Sequence, residues 1–97
     1  MNLSIKRVND NAILPQRATI GSAGYDIFAC IDENIIIKPQ EIRKIPTGIS
    51  LALEGNTAVI LIYARSGMAA NHGITLANCV GVIDSDYRGE LFIPLIN

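Results

Sequence analysis

Asp84-Ser85-Asp86-Tyr87-Arg88-Gly89 packs two carboxylates, a phenol and a guanidinium into one short turn. A carboxylate there takes a proton from water if it comes within about 3 Å of it. Asp-Ser-Asp is also ordinary turn chemistry, but a solvated turn leaves Tyr87-Arg88 and the upstream Asn78 unexplained. A second segment, Ala64-Arg65-Ser66-Gly67-Met68, brings a planar charged fork, a hydroxyl and a glycine to the start of a helix. Such a start offers free N–H groups to anions, and the guanidinium adds bidentate donors. Those residues read equally as a phosphate seat or as an N-cap beside a surface arginine. The third segment is Gly21-Ser22-Ala23-Gly24-Tyr25-Asp26. Small residues let the backbone approach another group closely. Asp26 then faces either a metal-bound water or sugar hydroxyl, or simply solvent.

The elements that must position these residues are short and β-forming. Leu3–Val8 alternates as a first strand. Tyr25–Ile31, Asn34–Lys38, Ile42–Ile45 and Ile49–Leu53 read as further strands, with Pro46-Thr47-Gly48 separating the last two. Ala58–Tyr63 is nearly all apolar, which predicts a strand buried on both faces. Gly81–Ile83 and Glu90–Ile96 read as a hairpin around the 84–89 turn. Ser66–Asn71 is the one helical candidate, with Ser66 as N-cap. Many short strands punctuated by Gly and Pro predict an all-β sandwich or barrel with one short helix.

At 97 residues the chain is one domain at most. A domain this small buries only about 60–65% of its unfolded surface, so oligomerisation is an ordinary remedy. The hydrophobic fraction of 49% against 18% charged points to apolar surface covered by partners. The net charge is −1 with no basic block, which argues against nucleic acid as a partner. A nucleotide needs only a few donors and stays possible. Cys30 and Cys79 lack CxxC spacing, and His72 does not complete a zinc set with them. Two buried, reduced thiols and the cytoplasm are the expectation. The N-terminus lacks the apolar core of a signal peptide, and no apolar run approaches the roughly 20 residues of a membrane span.

Taken together, the three segments resemble the motifs of trimeric dUTPases. Ala23-Gly24-Tyr25-Asp26-Ile27 is similar to the first motif. Arg65-Ser66-Gly67-Met68-Ala69, trailed by His72-Gly73-Ile74, is similar to the second. Gly81-Val82-Ile83-Asp84-Ser85-Asp86-Tyr87-Arg88-Gly89 is similar to the third, and order and spacing agree. The resemblance implies a jelly-roll-like β-barrel, a homotrimer with three sites between subunits, and Mg²⁺-assisted attack of water on the α-phosphorus of dUTP. By resemblance, Asp84 activates the water and Tyr87 packs under the deoxyribose, excluding a 2′-hydroxyl. The backbone of Gly81, Val82, Ile83 and Phe92, with the Asn78 amide, pairs with uracil. Arg65, Ser66 and Gly67 hold phosphates, and Asp26 reaches the magnesium through water. A pocket of fixed donors and acceptors rejects cytosine because its own groups would go unpaired.

Departures from the pattern are Ala64 where proline is common and Met68 where leucine is common. The sequence also ends at Asn97, before the family's fourth and fifth motifs, so an incomplete chain is expected. That leaves a non-catalytic nucleotide- or protein-binding module as the alternative. A dCTP deaminase fits less well, because it does not account for the Asp84–Gly89 turn with Tyr87.

Overall fold

A computed structural model describes residues 1–97. The strands are β1 (Leu3–Arg7), β2 (Ile42–Leu53), β3 (Ile60–Ile62), β4 (Thr75–Leu76), β5 (Gly81–Ile83) and β6 (Glu90–Ile96), with one helix, α1 (Ser66–His72), between β3 and β4. They form a four-stranded antiparallel sheet, β1-β2-β6-β4, and a two-stranded antiparallel sheet, β3-β5. The all-β, jelly-roll-like architecture with one short helix is as expected. In the single chain the two sheets do not close into a barrel. No helix is long and apolar enough to cross a membrane.

β2 is the spine, pairing with β1 on one side and β6 on the other. The sequence suggested two strands broken at Pro46-Thr47-Gly48, whereas the structure runs one strand through them. The reason is a bulge. Gly48 takes φ +69, and the β2–β6 register shifts between Pro46 and Ser50. Proline is tolerated at such a shift because its missing N–H costs no ladder bond. The Pro46 and Gly48 carbonyls instead accept from Cys30 N–H, and from Val8 and Asn9 N–H. Thr47 is buried, and its hydroxyl donates to the Leu91 carbonyl at 2.6 Å, tying β2 to β6.

The core is small: Ala12, Ile49, Leu51, Ile62, Leu76 and Leu91 pack as one cluster, with Leu14, Ile27, Cys30 and Ile83 against it. Three further expectations are corrected. Tyr25–Ile31 and Asn34–Lys38 are not strands; their ladder pairing is limited to one bridge, Gln16 to Asp26. Residues 58–63 form a strand only over Ile60–Ile62, and it is not buried on both faces, since Val59, Leu61 and Tyr63 are exposed. β5 and β6 are not a hairpin: β5 pairs with β3, and β6 with β2 and β4, so the 84–89 turn crosses between sheets.

Candidate functional site

The two sheets deliver the chemical residues in two groups. The first gathers where β3 ends. Arg65, extended at φ −71 and ψ 131, is the N-cap residue of α1, which displaces the expected Ser66 by one position; no side chain caps the helix. Ser66 and Gly67 form its exposed first turn. Opposite them, Asp26 is held by a reciprocal backbone pair with Gln16, N–H to carbonyl at 3.2 and 2.7 Å. Its carboxylate meets the Arg65 guanidinium at 2.6 Å. The Arg65 side chain is 69% exposed and Asp26 28%, so the pair is open to a competing anion. The structure thus joins Asp26 and Arg65, which the sequence had placed in separate motifs.

Both residues, with Ser66 and Tyr25, are among those lining a cavity of about 1140 Å³. Most of its wall is apolar and includes Ile5, Leu51, Ile62 and Ile93. It is the gap between the two sheets rather than a pocket moulded on a nucleotide, and it does not reach Asp84, Tyr87 or Asn78.

The second group lies on the 84–89 turn. Tyr87 N–H donates to the Asp84 carbonyl at 3.1 Å, closing the turn and leaving the Asp84 side chain exposed. The Tyr87 hydroxyl donates to the Glu90 carbonyl at 2.9 Å. This bond draws the ring across Gly89, where an added Cβ would stand 2.5 Å from the hydroxyl oxygen and 2.8 Å from Cζ. Arg88, which the sequence reading left without a role, donates to the Ser85 and Tyr87 carbonyls at 2.7 and 3.0 Å and to Leu53 of β2 at 3.4 Å. Its guanidinium braces the turn against the main sheet. The signal for it in the sequence was an arginine inside an otherwise sufficient turn.

The remaining predicted residues sit between the groups. Gly81, Val82 and Ile83 are β5 itself, paired on one edge with Ile62, Leu61 and Ile60. The other edge of β5 has no strand beside it. Asn78 is exposed just ahead of it, its amide nitrogen 3.7 Å from where a Gly81 Cβ would be. Cys79 is exposed with φ +65, contrary to the buried thiol expected, and Cys30 is half-buried; both are free. Phe92, on β6, lies under the Lys44 ammonium at 4.7 Å from the ring centroid.

The β3–β5 register keeps the two groups apart. Ile60 is opposite Ile83 and Ile62 opposite Gly81. The chain leaves one end of this ladder toward Arg65 and the other toward Asp84. At about 3.3 Å per residue, the separation within one chain is on the order of 15 Å.

For metal, the chain offers no group of three or more His, Cys, Asp or Glu side chains. A lone carboxylate does not cage a cation. It does fit Mg²⁺, which keeps waters and is often held by one carboxylate plus substrate phosphates.

Two antiparallel sheets with polar side chains on the loops at their ends define a β-domain whose sites belong to its connections, not its core. Residues 10–97 match the dUTPase family model, and the chain belongs to that family. Deoxyuridine 5′-triphosphate nucleotidohydrolase of Desulfitobacterium hafniense is 50% identical over 87% of this chain and 56% of its own length. That of Blochmanniella floridana is 47% identical over 100% of this chain and 65% of its own. The chain therefore spans about three-fifths of the length of these curated relatives. Among solved structures, a mutant dUTPase of phage phi11 of S. aureus superposes with a TM-score of 0.83 at 30% identity, over 98% of this chain and 59% of that one. That structure details a structural Mg(II) ion. A Staphylococcus bacteriophage 80alpha dUTPase with dUpNHpp matches with a TM-score of 0.80 at 29% identity, over 97% and 53%.

Proposed function

We propose that the protein hydrolyses dUTP to dUMP and pyrophosphate. Membership of the dUTPase family supports the reaction, and the Asp84–Gly89 turn carries the assignment of residues. Asp84 stands free in solvent on a closed turn, where it accepts a proton as water oxygen attacks the α-phosphorus. The bond between the α-phosphorus and the bridging oxygen breaks, and pyrophosphate leaves with that oxygen. The tip of the Tyr87 ring crosses Gly89 and is tied through its hydroxyl to the Glu90 carbonyl, so the ring is the floor for a deoxyribose. The free edge of β5 at Gly81, Val82 and Ile83 offers backbone donors and acceptors to uracil, with the Asn78 amide and the backbone of Phe92 beside it.

Arg65, Ser66 and Gly67 receive the phosphates. A triphosphate competes for Arg65 and so releases Asp26, which is then free to hold Mg²⁺ through water. Bound there, the ion spreads the charge that builds as the phosphoanhydride breaks.

One chain does not bring Arg65 and Asp84 to the same phosphate, so the complete site is built between copies, in a homotrimer. The surface agrees. The chain exposes 6893 Å², whereas a monomer of its mass typically exposes about 5,400 Å². Neither a basic stripe nor a membrane-spanning helix favours nucleic acid or lipid as partner. The free cysteines fit the reducing cytoplasm.

The deciding experiment is pyrophosphate release from dUTP and from UTP with Mg²⁺. Release from dUTP alone is expected. Equal release from both would refute the role of Tyr87, and none from either, with no binding of a non-hydrolysable dUTP analogue, would refute the activity.

A further inference from the structure

Residues 16–26 form a closed loop with almost no apolar filling. Gln16 and Asp26 shut its base, and Ile20, its bulkiest apolar residue, is 98% exposed. What bridges the loop, from its exposed surface, is Arg17. Its Nη2 donates to the Ile20 carbonyl at 3.0 Å and also to the Ser22 carbonyl. Its guanidinium carbon lies 5.9 Å from the Tyr25 ring centroid. Around it, Thr19 N–H donates to Ser22 Oγ at 2.9 Å, and Ser22 N–H to the Thr19 carbonyl at 3.1 Å. The two ends of this network are immediate neighbours of the bridge: Arg17 follows Gln16, and Tyr25 precedes Asp26.

We propose that Arg17 is a positioning residue for Asp26, setting the carboxylate that meets Arg65. From the surface of the loop, one nitrogen, Nη2, holds both carbonyls while the guanidinium plane reaches the Tyr25 ring, a combination that a lysine ammonium, a point charge without a plane, does not reproduce. With the loop ordered, the Gln16–Asp26 bridge fixes the Asp26 backbone at one height beside α1. With Arg17 removed, the loop has its backbone bonds and the Thr19–Ser22 hydroxyl pair to hold it, and the carboxylate samples other directions. This inference rests on the reading of Asp26 as the residue that holds Mg²⁺ with the triphosphate.

The test uses the purified chain and its Arg17→Ala, Arg17→Lys, Asp26→Asn and Arg17→Ala/Asp26→Asn variants. Binding of deoxyuridine 5′-(α,β-imido)triphosphate is titrated by calorimetry across Mg²⁺ concentrations. Amide hydrogen exchange over residues 17–26 and the thermal midpoint are measured alongside. Groups that orient a metal's partner typically contribute 10–100-fold, so Arg17→Ala should raise the half-saturating Mg²⁺ about tenfold. Arg17→Lys should behave like Arg17→Ala, exchange of the loop amides should quicken, and the midpoint should hold. The effect should vanish in the Asp26→Asn background, since a residue acting through another is not additive with its loss. Unchanged Mg²⁺ dependence in Arg17→Ala overturns the proposal. So does a full additive effect in the double variant, or an equal loss of binding with and without Mg²⁺ together with a fallen midpoint. If the parent itself ignores the analogue, the dUTP reading is what fails; loop exchange then decides Arg17 alone, and unchanged exchange overturns it.

Discussion

The single-residue question is whether Asp84 supplies the base and Tyr87 the sugar selection. Asp84→Asn keeps the turn, because the turn bond uses the backbone carbonyl. Only proton acceptance is lost, and a positioned base is generally worth about 10²–10⁴-fold. The expected result is a drop of that size in kcat for pyrophosphate release, with affinity for a dUTP analogue kept; a variant as fast as the parent would remove Asp84 from the mechanism. Gly89 allows an independent check on Tyr87. Gly89 is not in the left-handed region, so alanine there brings no backbone strain. Its methyl would overlap the Tyr87 hydroxyl and Cζ, and the ring must tilt. Contact changes of this size shift discrimination by about 10–200-fold, so Gly89→Ala should lower the dUTP-to-UTP ratio of kcat/KM at least about tenfold. An unchanged ratio would mean that the ring is not the floor of the sugar site.

Elements were legible in the sequence to different degrees, and the differences have causes. β1, β5, β6 and α1 matched the reading within a residue or two, because local alternation, glycine punctuation and alanine content decide them. Tyr25–Ile31 has the right residue types for a strand, yet strand formation needs a partner edge, and only Gln16 and the Pro46 carbonyl reach it. β4, two residues long, is below what a periodicity can register. The site showed the same split. Asp84, Tyr87 and Arg65 were visible as types in odd places, whereas the Asp26–Arg65 pair and the braces made by Arg17 and Arg88 depend on tertiary placement. Pro46-Thr47-Gly48 was read as separating two strands because strand breaks and bulges both use a glycine at positive φ. The bulge makes a strong prediction. A Cβ on Gly48 would sit 2.8 Å from Ala12 Cβ, 3.0 Å from Cys30 Sγ and 3.1 Å from Asn9 Cβ, at φ +69. Left-handed strain and overpacking together should cost Gly48→Ala about 2–4 kcal/mol. Urea denaturation would read this as a lower midpoint at unchanged slope; an unshifted midpoint would mean that the close packing around the bulge gives way freely.

The whole molecule carries more surface than its mass warrants, by about 1,500 Å² on the usual scaling for folded monomers. Much of it is apolar and organised. Val59, Leu61 and Tyr63 alternate along one strand segment and are 51%, 47% and 64% exposed. Val82, paired with Leu61 across the ladder, is 58% exposed. Contiguous apolar patches of this kind mark interaction surfaces, and a surplus on this scale is what an obligate interface removes. The same assembly would bring the Asp84 turn of one copy toward the Arg65 end of another, which the ladder register forbids within a chain. Sedimentation equilibrium should therefore return three times the chain mass, and the thermal midpoint should rise with protein concentration. Leu61→Glu puts an unpaired charge on the row; its neighbour across the ladder, Val82, is assigned to uracil through its backbone, which the substitution does not change. It should shift the protein to monomers and abolish pyrophosphate release in parallel. A Leu61→Glu monomer that still turned over dUTP at the parent rate would show that one chain completes the site by itself, and the separation of Arg65 from Asp84 would then have to close by a movement within the chain.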